Sequence, residues 1–162
     1  MTRLRVRHLA SASPVPGLTP GCTYEILEIR DERAWMRQRV LLDNDTGARI
    51  WHRRSHFVPD FSLWLEFELW EDPPDAADFA NVKIILSDGR VYAANVWTHD
   101  FFAQAVAEDA RTGQNLGGLY LIPPDLFVRR LTRDDITRTV EQLLREHQWD
   151  LPTPWRVEPD DE

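Results

Sequence analysis

His52, His56 and Asp60 stand four residues apart and are the first residues of this chain whose types and spacing could do chemistry. On a helix, that spacing would bring the three side chains to one face, where they could bind zinc. The segment IWHRRSHFVPD that contains them begins with Ile and Trp and includes a proline, which predicts a strand followed by a loop. The side chains are therefore not expected to converge, and we predict no metal site and no cofactor.

Two further candidates for catalysis are the adjacent pair His99 and Asp100 and the single cysteine, Cys22. A histidine beside an aspartate can serve acid–base chemistry, but Asp100 is better explained as a first-turn helix residue that interacts with the helix dipole. Cys22 follows a glycine in a turn and has no neighbouring base to activate it. We predict no catalytic residues and no enzymatic activity, with a small hydrolase that uses His52 or His99 as the last alternative.

The segment FSLWLEFELWED, residues 61–72, predicts a strand with one apolar face and one face of tryptophans and glutamates. Glutamates cannot be buried without partners, so the second face should meet solvent or another protein. Aromatic side chains supply binding area, and carboxylates steer a basic partner. We therefore predict a partner-binding surface that continues into the acidic stretch after the strand. Its residues are Trp64, Glu66, Glu68, Trp70, Glu71, Asp72, Asp75 and Asp78.

The same segment allows a second interpretation, in which its polar face is satisfied within the molecule. Trp64 and Trp70 would pack against the first part of the chain or its C-terminal tail. Glu66 and Glu68 would then bond to Arg37, Arg39 or Arg53. Both interpretations require one buried face on the strand.

The net charge of −8 is spread unevenly over the 162 residues. Residues 1–58 hold ten Arg and six acidic residues, whereas residues 59–162 hold nine Lys or Arg and 21 acidic residues. Because nucleic acids and membrane surfaces are polyanions, the acidic part argues against binding to either. The basic part leaves an alternative function, a nucleic-acid-binding or regulatory module. Its candidate residues are Trp35, Arg37, Arg39, Trp51, Arg53 and Arg54.

Features of the sequence that report on compartment favour the cytoplasm. A single cysteine excludes an internal disulfide, and the N-terminal MTRLRVRHLA has no apolar run of signal-peptide length. No segment reaches the roughly 20 apolar residues that cross a bilayer. We expect a soluble cytoplasmic protein with no membrane partner.

Short alternating strands separated by turns dominate residues 1–58, which predicts a small β-barrel. The predicted strands are RLRVRHLA (3–10), TYEILEIR (23–30), AWMRQRVLLD (34–43) and ARIWHRR (48–54).

Residues 59–148 predict an α+β unit, an antiparallel sheet with two helices. A hairpin spans residues 81–98 around Asp88-Gly89. One helix begins after Thr98 and ends at Gly113, and a second is capped by Thr132. Two short strands, GLYLI (118–122) and DLFVRR (125–130), lie between the helices. Residues 149–162 form an extended acidic tail.

The stretches DFANVKIILSDGRVYAANVWT, TGQNLGGLYLIPPDLFVRR and ITRTVEQLLREH, within residues 78–147, resemble a family of small, largely uncharacterised bacterial α+β proteins catalogued as immunity proteins of toxin systems. Residues 1–58 resemble SH3-like small β-barrels through LTPGCTYEILEIR and VLLDNDTGARIWHRRSHFVP. The resemblance implies a binding protein that neutralises a cognate protein toxin, which we expect to be basic. The resemblance implies no catalytic residues in this chain.

Overall fold

A computed structural model describes residues 3–10, 14–30 and 38–157 of the chain. The chain divides into two units, each built from several separate segments. Unit 1 comprises Met1–Ser62, Ile85–Val91 and Glu141–Pro152, and unit 2 comprises Leu63–Ile84, Tyr92–Val140 and Thr153–Glu162. Helices and strands both contribute, so the predicted α+β class is confirmed.

Two three-stranded antiparallel sheets form the β structure of unit 1. The first contains, in spatial order, β2 (Thr23–Glu25), β1 (Arg5–His8) and β6 (Phe57–Pro59). The second contains β3 (Glu28–Arg30), β4 (Arg39–Asp43) and β5 (Arg49–Arg53). A 3₁₀ turn, Arg54–His56, connects β5 to β6.

The segment TYEILEIR, predicted as one strand, divides between these two sheets. The amide of Ile26 donates to the carbonyl of Leu4 at 2.9 Å, whereas the amide of Leu27 donates to the carbonyl of Leu41 at 2.9 Å. Consecutive residues thus bond to different sheets, and the strand bends between them. The described strands do not close into a barrel.

Alternation along the strands supplies the core of unit 1. In β1, Val6 and His8 are buried while Arg5 is exposed, and in β4 Val40 and Leu42 are buried. Burial of each large apolar side chain stabilises the fold by about 1.5–3 kcal/mol. The buried cluster consists of Val6, Leu18, Tyr24, Ile26, Val40, Leu42, Phe57 and Trp149.

A five-stranded sheet dominates the rest of the chain, with β10, β9, β8 and β7 as neighbours and β11 pairing with β9. Its strands are β7 (Phe61–Leu65), β8 (Phe79–Leu86), β9 (Val91–Thr98), β10 (Leu126–Val128) and β11 (Arg156–Val157). Because β10 runs parallel to β9, the sheet is mixed, not wholly antiparallel as predicted. The predicted strand GLYLI at 118–122 does not form.

The hairpin of β8 and β9 turns at Gly89, which adopts a φ of 94° that favours glycine. In β8 the side chains alternate strictly between exposed and buried. The hairpin predicted from Asp88-Gly89 is confirmed.

Three helices are present among the described residues: α1 (His99–Thr112), the single turn α2 (Asn115–Gly118) and α3 (Arg133–Glu146). The Thr98 hydroxyl accepts from the amide of Phe101 at 3.2 Å, and Gly113 ends α1 with a φ of 78°. The amide of Asp135 donates to Thr132 Oγ1 at 3.1 Å. Both capped helices were predicted, whereas α2 was not. Within 3–10, 14–30 and 38–157, no helix has the length and apolar character required to cross a membrane.

The C-terminal segment contains a short 3₁₀ turn, Thr153–Trp155, followed by β11. Trp149, Leu151 and Trp155 are buried along it.

Candidate functional site

The Trp- and Glu-containing strand ends earlier than the sequence predicts. Strand β7 stops at Leu65, and residues Glu66–Leu69 form a 3₁₀ turn. The alternation of buried and exposed side chains therefore fails at Leu69, which is 71% exposed although it was assigned to the apolar face. Leu65, at the end of β7, and Phe67, within the turn, are both buried.

The two glutamates of this turn are bonded within unit 2. Glu66 Oε2 accepts from the backbone amide of Asn81 at 2.7 Å and from its side-chain amide at 2.9 Å. Glu68 forms a two-pronged pair with Arg133, at 2.7 and 2.6 Å, and this hydrogen bonding lowers the pKa of Glu68. Their partners are therefore Asn81 and Arg133 rather than the arginines considered from the sequence.

The two tryptophans differ in their surroundings. Trp64 is 38% exposed, and the Nζ atom of Lys83 lies 5.5 Å from the centre of its ring. Trp70 is half-buried and contacts Phe67 edge to face, with ring centres 6.4 Å apart. Neither ring is fully buried, so both leave aromatic surface accessible. Trp70 begins the acidic stretch, whereas the charged neighbour of the Trp64 ring is Lys83.

Residues Trp70–Asp78, here called the acidic loop, are anchored at their C-terminal end. The amide of Asp78 donates to Thr98 Oγ1 at 3.1 Å, and the carbonyl of Asp78 accepts from the amide of Thr98 at 3.0 Å. The carboxylate of Asp78 accepts from the amide of Asp75 at 3.1 Å. Pro73 and Pro74 further restrict the backbone.

Three carboxylates of the acidic loop remain open to a partner. Glu71, Asp72 and Asp75 are exposed, and none forms a side-chain hydrogen bond or ion pair with another residue that the structure describes. The predicted surface is therefore a mixture. Glu66, Glu68 and Asp78 are held by internal bonds, while these three side chains project negative charge into solvent.

Next to Trp64, unit 2 has an open cavity of about 430 Å³ on its sheet. The carboxylate of Asp125 accepts from the amide of Asn95 at 2.7 Å, and Asn95 Nδ2 donates to Asn81 Oδ1 at 3.3 Å. Because Asn81 also bonds Glu66, one polar network connects the cavity to the start of the 3₁₀ turn. The lining residues are Trp64, Asn81, Val82, Lys83, Ala93, Ala94, Asn95 and Asp125.

The second sheet of unit 1 carries a different charged face. The register pairs Arg30 with Arg39 and Arg39 with Arg53, and directly opposed residues of an antiparallel sheet project to the same side. All three arginines are exposed. They form one row across three strands, here called the arginine row, and Arg30 was not among the residues predicted from the sequence.

Beyond the arginine row, the same face is mixed, because the exposed carboxylate Glu28 is directly opposite Leu41. Leu41 pairs with Trp51, and the guanidinium of Arg30 lies 4.5 Å from the centre of the Trp51 ring. At the far end, Arg49 Nε donates to Asp43 at 2.9 Å, and this bond lowers the pKa of Asp43.

Arg54 does not belong to this exposed face, contrary to its assignment as a nucleic-acid-binding candidate. It is only 8% exposed, its guanidinium bonds the Gln38 side chain and the carbonyl of Gln148, and it lies 4.2 Å from the ring centre of Trp149. Arg54 therefore supports the core. Trp35 and Arg37 lie outside the described residues.

The histidines considered for metal binding or catalysis sit in structural positions. His52 packs against Phe57, with ring centres 6.1 Å apart, as does His8, which was not a candidate, at 5.6 Å. His56 is the last residue of the 3₁₀ turn Arg54–His56. His99 stacks on Phe127 at 5.8 Å. Among the residues described, no group of three or more His, Cys, Asp or Glu is arranged to hold a metal ion.

Comparison with known proteins adds no relative to this geometry. No protein-family model, curated protein or solved structure gives a significant match to the chain.

Proposed function

We propose that the chain is an immunity-type binding protein that neutralises a basic bacterial toxin through the acidic loop and its neighbouring tryptophans. The observation that supports this best is the state of Glu71, Asp72 and Asp75. They are exposed carboxylates without partners in the described structure, on a loop whose end is fixed by Thr98.

The anchoring of the acidic loop matters for binding because disorder must be given up on association. Each immobilised side chain costs about 0.5–1.5 kcal/mol at an interface. Asp78, Thr98 and two prolines restrict the backbone of the acidic loop in the unbound protein, whereas the exposed side chains of Glu71, Asp72 and Asp75 still have this cost. The loop therefore presents its carboxylates from a backbone that is restricted before binding.

The chemistry of the surface indicates a cationic partner. The stretch from Asp60 to Asp78 contains seven acidic residues and no Lys or Arg. Asp60 and Glu68 are paired with Arg5 and Arg133, so the charge available to a partner comes from the other five, and mainly from the exposed Glu71, Asp72 and Asp75. Such a field accelerates encounter with a basic protein and repels acidic ones. Toxins that attack nucleic acids must approach a polyanion, so many carry the positive surface that this loop would engage.

The proposal is tested with the protein encoded immediately upstream of this chain, whose C-terminal domain is the toxin candidate. We expect cells that express that domain to die and cells that also express this chain to survive. A neighbour that is harmless, or a toxicity that the chain does not relieve, contradicts the proposal.

The site is tested by replacing Glu71, Asp72 and Asp75 together with lysine. We expect protection to be lost and the association rate with the toxin domain to fall by at least about tenfold, because steering charge is reversed. The matched control replaces three other exposed carboxylates, Glu28, Glu108 and Glu146, with lysine and changes the net charge equally, and none of the three lies in the first turn of a helix. Thermal melts of both variants report whether each remains folded. If both variants lose protection equally, the effect belongs to net charge and not to the loop.

For the fold of unit 1, we propose an SH3-like arrangement in which the two small sheets act as two sides of a partly open barrel. The support is that they meet at two corners, the bend at Ile26–Leu27 and the 3₁₀ turn Arg54–His56. Strands that pass from one sheet to the next at such corners are typical of orthogonal β packing. Nuclear Overhauser contacts between Val6 of the first sheet and Val40 or Leu42 of the second are the expected result, and their absence would contradict it.

We also propose a cytoplasmic location. It is supported by the exposed, unpaired Cys22, because a reducing compartment keeps a lone thiol free.

A further inference from the structure

We infer that the arginine row of unit 1, together with Trp51, is a binding site for single-stranded nucleic acid, in which the arginines bind the phosphate groups. This site is separate in residues and in ligand from the acidic loop, and it goes beyond the toxin-binding function proposed above.

The register of three strands determines the geometry of the arginine row. Arg30, Arg39 and Arg53 occupy directly opposed positions on three adjacent strands. Neighbouring strands are about 4.8 Å apart, so the three backbone positions span roughly 10 Å. Three guanidinium groups are thus concentrated on one side of a small sheet.

By itself, the arginine row lowers the stability of the sheet. Like charges directly opposite each other destabilise a sheet. None of the three arginines forms an ion pair with a residue in the part of the chain that the structure describes. Arg49, on the same face, shows the contrast because its charge is neutralised by Asp43. Among the residues that the structure describes, no carboxylate forms an ion pair with the row, so an external anion would relieve its repulsion.

The side chains of the row and its neighbour Trp51 indicate the type of anion. The planar fork of arginine matches phosphate oxygens with two parallel hydrogen bonds. Half-buried Trp51 stands beside the row, with Leu41 opposite it, and the guanidinium of Arg30 lies 4.5 Å from its ring centre. A base that stacks on this face of the ring takes the place of Arg30, which is then free to bind a phosphate. An acidic peptide would satisfy the charges but supplies no planar ring for Trp51, so a nucleic acid strand fits this face better.

The distribution of charge along the chain favours binding of a polyanion at this face. Residues 1–58 hold ten Arg against six acidic residues, although the whole chain is acidic. A polyanion should therefore bind at this face only, and the acidic remainder should keep the affinity moderate. Because counterions are released from phosphates on binding, the affinity should fall steeply with salt.

The experiment measures fluorescence anisotropy of a labelled oligothymidine of about 12 nucleotides, a length within the usual site size, with the full chain at about 50–200 mM NaCl. We expect Arg39→Gln to weaken binding by about three- to tenfold and to reduce the slope of log K against log salt by about 0.7. Arg30→Gln and Arg53→Gln should act in the same direction.

The matched control is Arg49→Gln, which removes an arginine from the same sheet face but one that is paired with Asp43. It should change the affinity by less than about twofold. The melting temperature distinguishes an arginine that repels its neighbours from an arginine that forms a stabilising ion pair. Arg39→Gln should leave it unchanged or raise it, since a like-charge contact is relieved, whereas Arg49→Gln should not raise it.

Several outcomes would overturn the inference. One is the absence of binding at the lowest salt concentration, and another is equal weakening by Arg39→Gln and Arg49→Gln. A third is binding of polyglutamate as tight as that of the oligonucleotide, which would assign the row to acidic proteins.

Discussion

At the scale of single residues, the histidines near Phe57 couple the stability of unit 1 to pH. Burial lowers the pKa of His52, and the charges of His56 and His8 lower it further. Burial also lowers the pKa of His56, followed by the charges of His8 and Arg53. Among the residues that the structure describes, the charge of these rings affects the pKa of one carboxyl group, that of Asp45, which is lowered mainly by hydrogen bonds from Thr19 and Tyr24 and slightly by His8.

Acid should therefore weaken the fold before carboxylates are protonated. A folded-state pKa below the unfolded value of about 6.5 means that the unfolded chain binds more protons as the pH falls. The stability is fully present above that value and decreases as the pH falls below it toward the folded pKa values. Urea unfolding at pH 7.5 and pH 5.5 should show a lower midpoint at the acidic pH.

His52→Gln should reduce this difference between the two pH values, because one of the groups that must remain neutral is removed. His147→Gln, at an exposed position, should leave the difference unchanged. A midpoint that is the same at both pH values would show that protonation of these rings is not coupled to folding.

At the scale of elements, Thr98 joins three pieces of unit 2. Its hydroxyl accepts from the amides of Phe101 and Asp78 and donates to the carbonyl of Asp78 at 3.1 Å. One side chain at the end of β9 therefore caps α1 and anchors the acidic loop. Thr98→Val retains the shape but loses these bonds, and we expect a loss of about 1–2 kcal/mol in the free energy of unfolding.

The same variant should loosen the acidic loop. Hydrogen exchange at the amide of Asp78 should become faster in Thr98→Val, whereas Thr98→Ser should restore both protection and stability. Equal stability of the valine variant and the parent chain would show that the cap contributes little to either element.

Which elements were predictable depends on the range of the interaction that determines them. The hairpin follows from the period-two pattern of β8 and the Gly89 turn, and the limits of α1 follow from Thr98 and Gly113, all of which are local. The strand predicted through residues 61–72 was wrong beyond Leu65, where a 3₁₀ turn begins. The bond from Glu68 of this turn to Arg133, 65 positions away, is one that no local pattern indicates.

In the candidate sites, too, features set by local sequence were predictable and features set by distant contacts were not. The acidity and exposure of Glu71, Asp72 and Asp75 were predictable from composition and prolines. The arginine row was predictable only in part, because Arg39 and Arg53 were identified as basic residues but their alignment with Arg30 depends on the register of three strands. Arg54, adjacent to Arg53 in sequence, was misassigned because burial of an arginine depends on tertiary partners.

At the scale of the whole molecule, unit 1 depends on a residue far from the segment that supplies its strands. Trp149 is 2% exposed and belongs to the same buried cluster as Val6 and Phe57. Its indole Nε1 donates to the carbonyl of Phe57 at 3.3 Å, and Arg54 covers its ring. A fragment that ends before Glu141 therefore lacks part of its own core.

Trp149→Ala should lower the free energy of unfolding of the full chain by about 3–5 kcal/mol, since a large buried side chain leaves a cavity. Trp149→Phe retains most of the apolar area but loses the hydrogen bond to Phe57, so it should cost less. Urea titrations followed by circular dichroism measure both variants. A fragment of residues 1–62 should be unfolded by the same measurement, because it contains neither Trp149 nor the other distant segments of unit 1. If that fragment folds as stably as the full chain, the strands of unit 1 form a sufficient core without Trp149.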